Sequence, residues 1–94
     1  MDYSKIFHEN VRDRKLSIRA KLFYGELFKI YKQHGYCDQQ NRYFADMFGV
    51  CKGSVSKWLR ELQAQDLIYV EVKRTSSGTT RKIYLLDENN SLLV

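Results

Sequence analysis

Between Leu16 and Tyr31 the apolar residues Leu16, Ala20, Phe23, Leu27 and Ile30 recur at alternating steps of four and three, which places them on one face of a helix. Tyr24, Phe28 and Tyr31 widen that face, and Lys21, Lys29 and Lys32 keep the rest in water. A polar stretch follows, then a second, shorter helix from about Asn41 to Phe48, with Asp38 or Asn41 placed to cap it and Gly49 to end it. A third helix runs from about Lys52 to Gln65, with Val55, Trp58, Leu59 and Leu62 on one face and Lys57, Arg60 and Gln63 on the other. The period then changes to two. Ile68, Val70 and Val72 alternate with Tyr69, Glu71 and Lys73, and the alternation resumes from Arg81 to Leu86 through Ile83 and Leu85. Thr75 to Thr80, polar and containing Gly78, reads as a hairpin loop of more than two residues. The pattern predicts a mainly α fold with a small β-hairpin over residues 16–86, preceded by an N-terminal arm (1–15) and followed by a tail or the start of a linker (87–94).

The chain has 94 residues, one small domain's worth. Such a domain hides only about 60–65 % of its unfolded surface, enough for one core but not for a deep catalytic cavity as well. No Gly-rich phosphate loop precedes a Lys-Ser or Lys-Thr pair, and no His sits in a recognisable Ser-His or Cys-His setting, so a binding module without a cofactor is expected rather than an enzyme. No apolar run approaches the roughly 18 residues of a membrane span, and the N-terminus lacks the apolar centre of a signal peptide. The two cysteines, Cys37 and Cys51, read as reduced thiols of a cytoplasmic protein.

Charge adds direction. Lys and Arg number 16 against 11 Asp and Glu, a formal +5, which favours acidic partners. The excess is concentrated: within 52–82, seven basic residues (Lys52, Lys57, Arg60, Lys73, Arg74, Arg81, Lys82) face three acidic ones (Glu61, Asp66, Glu71), leaving +4 of that +5 in this segment.

Asn41 to Leu62 has the pattern of a helix-turn-helix. Ala45 is small where two helices would cross, Gly49 tolerates the positive φ of a tight turn, and Val50 can fill the gap between the helices. The basic hairpin that follows completes the order of a winged helix. The chain resembles the N-terminal winged helix-turn-helix modules of phage and plasmid replication-initiation proteins (replisome organisers) of Gram-positive bacteria. The resemblance rests on Asn10-Val11-Arg12, Leu16 to Leu27 (LSIRAKLFYGEL), Gly35-Tyr36-Cys37, Asn41 to Gly49 (NRYFADMFG), Val55 to Leu59 (VSKWL) and Arg81 to Leu85 (RKIYL). It implies site-selective binding of double-stranded DNA at an origin, with the third helix in the major groove and the wing on the backbone. Such modules carry Ser or Thr at the start of the recognition helix, where this chain has Cys51 and Gly53. Longer relatives continue into a second domain that contacts helicase-loading proteins, so replication proteins are implied as further partners.

Duplex binding needs cations for phosphates and short polar groups for base edges on one surface. Lys52, Ser54, Ser56, Lys57 and Arg60 lie on the N-terminal half or the outer side of the third helix, the part that reaches bases in such docking, and Ser56, Lys57 and Arg60 are the expected base readers. Arg74, Arg81 and Lys82 are placed to hold phosphates or enter the minor groove and Tyr43 to touch a phosphate, and Asn41, Ser76, Ser77 and Thr79 complete the expected DNA-binding set. Blander assignments compete. A basic face can be merely solvated; Trp58 fits core packing better than base stacking; Tyr69 and Tyr84 cover the sheet; and His34, Cys37 and Cys51 form only half of a metal site. Two alternatives to replication remain: a transcriptional repressor using the same surface, and a protein-interaction module docking or dimerising through Leu16 to Tyr31 or Ser91 to Val94. The oligomeric expectation is a monomer or weak homodimer.

Overall fold

The computed structural model describes residues 16–87 and 89–93; the expected N-terminal arm, 1–15, lies outside them. Helix α1 spans Ile18–His34. It starts two residues later than the apolar pattern because Ser17 is its N-cap, the Ser17 Oγ accepting from the Ala20 N–H at 3.2 Å. It runs past Tyr31 until Gly35 adopts the left-handed conformation (φ +79°) and donates its N–H to the Tyr31 carbonyl. Helix α2 spans Asn41–Phe48 and ends at Gly49, also left-handed. Neither Asp38 nor Asn41 caps it: the N-cap is Gln40, without a side-chain bond, and the Asn41 amide is engaged elsewhere. Helix α3 spans Lys52–Ala64. It stops where Asp66 takes a positive φ and the Leu67 N–H returns to the Leu62 carbonyl.

Strands β1 (Ile68–Thr75) and β2 (Gly78–Leu85) form an antiparallel hairpin in register from Ile68↔Leu85 to Thr75↔Gly78. The expected long loop is absent. Thr79 and Thr80 belong to the ladder, and only Ser76 and Ser77 connect the strands. Neither serine takes a positive φ. Gly78 does so just after them (φ +138°), and the Thr75 hydroxyl donates to the Gly78 carbonyl at 3.0 Å, closing the turn. On the other edge of β2, Ile83 exchanges both backbone bonds with Cys37, at 2.8 and 2.9 Å, and the Leu85 carbonyl accepts from the Leu93 N–H.

The core lies where the three helices meet the base of the hairpin. The Phe23 ring meets Phe44 edge-on at 4.9 Å and Trp58 at 5.7 Å, and Phe48 meets Trp58 at 5.4 Å. Ile68, Ile83 and Leu85 close this core from the sheet side. Val72, expected on the same inner face, is 56 % exposed, because beyond Val70 the hairpin projects past the helices. The residues expected to form a tail fold back instead. The Asp87 carboxylate accepts from the Asn89 and Ser91 N–H groups, Leu93 is buried, and the Tyr31 hydroxyl donates to the Leu93 carbonyl. Ser91 to Leu93 is thereby part of the domain's packing.

One tertiary bond has no signature in the local pattern. The Glu61 carboxylate on α3 accepts from both the Ser17 N–H and the Ser17 hydroxyl, each at 3.1 Å, and so anchors the start of α1. Glu61→Ala is expected to cost about 1 kcal/mol, read as a lower midpoint in denaturant unfolding. The exposed neighbour substitution Gln63→Ala should stay within about 0.5 kcal/mol of the parent.

Candidate nucleic-acid interface

On α3 the buried residues Val55, Trp58, Leu59 and Leu62 define the inner face, and the 100° step of the helix puts Gly53, Lys57 and Arg60 opposite them. Lys57 and Arg60 are exposed, and among the described residues neither has an ion-pair or hydrogen-bond partner. Lys52 is exposed at the helix start. Half-buried Ser54 places its hydroxyl 3.5 Å from the Cys51 Sγ.

Three of the expected contact residues are bonded to one another instead of standing free. Arg81 Nη1 donates to Asn41 Oδ1 at 2.6 Å and Arg81 Nη2 to the Gln39 carbonyl at 2.7 Å, while Asn41 Nδ2 donates to Ser56 Oγ at 3.0 Å. The guanidinium is half-buried, and its desolvation lowers its pKa from the ordinary arginine value. A cleft of about 500 Å³ separates residues 38–41 from residues 79–82, and Arg81 bridges its two sides.

Alternation along the hairpin sorts its remaining candidates. Arg74 and Thr79 form one cross-strand pair, two rows from the pair of Val72 with Arg81 when counted along each strand, and they share the face that at its base covers the core. Both are exposed. Lys82 and Lys73 lie on the opposite face. Lys82 Nζ sits 4.7 Å above the Tyr36 ring, and Lys73 pairs with Glu71 at 3.3 Å. Lys82 therefore does not share a side with Arg74. Tyr36, Tyr84 and Tyr69 form a row across that outer face with centroids 6.3 and 6.2 Å apart, as expected for tyrosines that cover a sheet. Ser76 and Ser77 are exposed at the turn, Ser77 in contact with the Thr75 hydroxyl. Tyr43 is partly exposed on α2 with its ring edge-on to Phe44.

The two thiols differ in environment. Cys37 is buried, and desolvation raises its pKa. Cys51 is exposed at the start of α3, and the hydrogen bond from the Ser54 side chain lowers its pKa, enlarging the thiolate fraction at neutral pH. Iodoacetamide should accordingly modify Cys51 in the folded protein and reach Cys37 only after denaturation, read by peptide mass spectrometry; equal rates would contradict these environments. Among the described residues no group of three or more His, Cys, Asp or Glu side chains gathers as a metal site, and no helix is long and apolar enough to cross a membrane.

The Arg81 bonds to Asn41 and to the Gln39 carbonyl span about forty positions and leave no periodic trace in the sequence. Compared with known proteins, the chain matches no family model, no curated protein and no solved structure.

Proposed function

We propose that this chain is a cytoplasmic winged helix-turn-helix domain that binds double-stranded DNA site-selectively, in the initiation of phage or plasmid replication. The observation that carries the reading is the pair of exposed cations Lys57 and Arg60 on the outward face of α3, without partners among the described residues, together with a hairpin that projects beyond the helices and carries exposed Arg74 on the face that at its base covers the core. Two features support the reading: Gly49 ends α2 just before α3 begins, and the segment between the first and second helices pairs with β2 through the Cys37–Ile83 bridge. The α3 face enters the major groove, where Lys57 and Arg60 meet base edges and Lys52 a phosphate. Arg74 and the turn hydroxyls reach the flanking backbone. The replication setting comes from the family resemblance alone.

Titration of a labelled duplex of random sequence at low and at moderate salt tests this. Affinity should be measurable at low salt and fall with a log–log slope of roughly −2 to −4, as two to four of Lys52, Lys57, Arg60 and Arg74 displace counterions. Absence of binding to any duplex at low salt would reject the reading. It would turn attention to the interaction alternative, for which the structure offers Ile18 and Leu22, 77 % and 58 % exposed and one turn apart on α1.

A further inference from the structure

The hairpin presents a mechanical problem. Its base packs on the core through Ile68, Ile83 and Leu85, but residues 72–80 are exposed. A two-stranded ribbon is marginal in water and twists easily. If its outer half is to hold a fixed direction relative to α3, something at the point of departure must set that direction. Arg81 stands there, opposite Val72, the first exposed residue of β1 beyond the packed base.

We infer that Arg81 is a positioning residue: through Asn41 and Ser56 it sets the angle between the projecting end of the hairpin and α3, and with it the spacing of the two parts that straddle the duplex. The inference rests on the DNA-binding reading above. Its geometry is specific. The planar guanidinium spends two N–H groups on two separate acceptors of the segment entering α2, Asn41 Oδ1 and the Gln39 carbonyl, a fork that a lysine ammonium cannot reproduce. Asn41 then uses both ends of its amide, accepting from Arg81 and donating to Ser56, so its orientation is determined by a cation on one side and a hydroxyl on the other. The chain thus runs from β2 across the first residue of α2 to α3, and it ends beside the proposed contact residues: Ser56 precedes Lys57, and Arg74 shares the hairpin face of Arg81. Arg81 acts by aiming Arg74, not by holding a phosphate itself.

The test uses the full chain with Arg81→Lys, which keeps the charge and removes the fork, and Ser56→Ala, which keeps the Arg81–Asn41 bond and removes the link to α3. Without DNA, residual dipolar couplings of amides 72–80 in the parent should fit the same alignment frame as the three helices. In Arg81→Lys the hairpin end should depart from that frame while the helices keep theirs, and Ser56→Ala should show a smaller departure. Couplings that stay in one frame in both variants would overturn the inference. With DNA, Arg81→Lys should leave the salt slope of the parent unchanged and reduce its preference for a selected site over random duplex by about tenfold. A slope that Arg81→Ala lowers by about 0.9, with the frame intact, would mark Arg81 as a phosphate contact and also overturn it. Should the parent bind no duplex, the function reading fails, and the couplings still decide whether Arg81 sets the hairpin angle.

Discussion

Trp58→Ala is expected to cost about 3–5 kcal/mol, a large share of the roughly 5–15 kcal/mol that holds a domain of this size together. Trp58 is 4 % exposed and its ring lies against Phe23 and Phe48, so truncation opens a cavity where three helices meet. Each kcal/mol lost moves the melting midpoint by about 4–8 °C, and the variant should melt at least 12 °C below the parent by circular dichroism. Trp58→Phe keeps an aromatic ring in the site and should lose far less. Trp58 is the only tryptophan of the chain, so its fluorescence also distinguishes packing from stacking: a core indole keeps its emission when duplex is added, whereas one stacked on a base is quenched.

The second large effect concerns binding without stability. Lys57 and Arg60 are exposed, without partners among the described residues, so Lys57→Ala with Arg60→Ala should leave the denaturation midpoint within about 0.5 kcal/mol of the parent per site. A good bidentate base contact is worth about 1–3 kcal/mol of discrimination. The double variant should therefore lose about 2–6 kcal/mol on a selected site, at least roughly thirtyfold in affinity. Random duplex should weaken less, because only the electrostatic part of the two side chains is lost there. Equal losses on both duplexes would make the pair phosphate contacts and move base reading elsewhere on α3.

The sequence carried the helices because they write themselves in the period of their apolar residues, and because Gly35 and Gly49 stand where left-handed caps are needed. The hairpin was legible for the same reason, but its turn was not. Ser76-Ser77 lacks the Asn-Gly or Asp-Gly pair of a two-residue turn, and the positive φ falls on Gly78, one position later. The burial of Leu93 is not legible, because a short apolar run after polar residues carries no sign of the hydroxyl on Tyr31 or the strand edge at Leu85 that receives it.

The same limit applied to the interface. Exposed cations on α3 follow from helical spacing alone, so Lys57 and Arg60 could be singled out. Arg81, Asn41 and Ser56 look like contacts by the same reasoning, because composition cannot distinguish a polar side chain free to meet a ligand from one already engaged by another element. Only the fold separates them. Lys82 adjoins Arg81 in the sequence, but strand alternation sends the two to opposite faces.

Backbone amide shifts, recorded by NMR while a short duplex is added at low salt, test the central claim most directly. Perturbations should cluster on residues 52–60 of α3 and on 73–81 of the hairpin, with the Ile18 and Leu22 face of α1 silent. A footprint confined to α1, or no footprint at all, would contradict it.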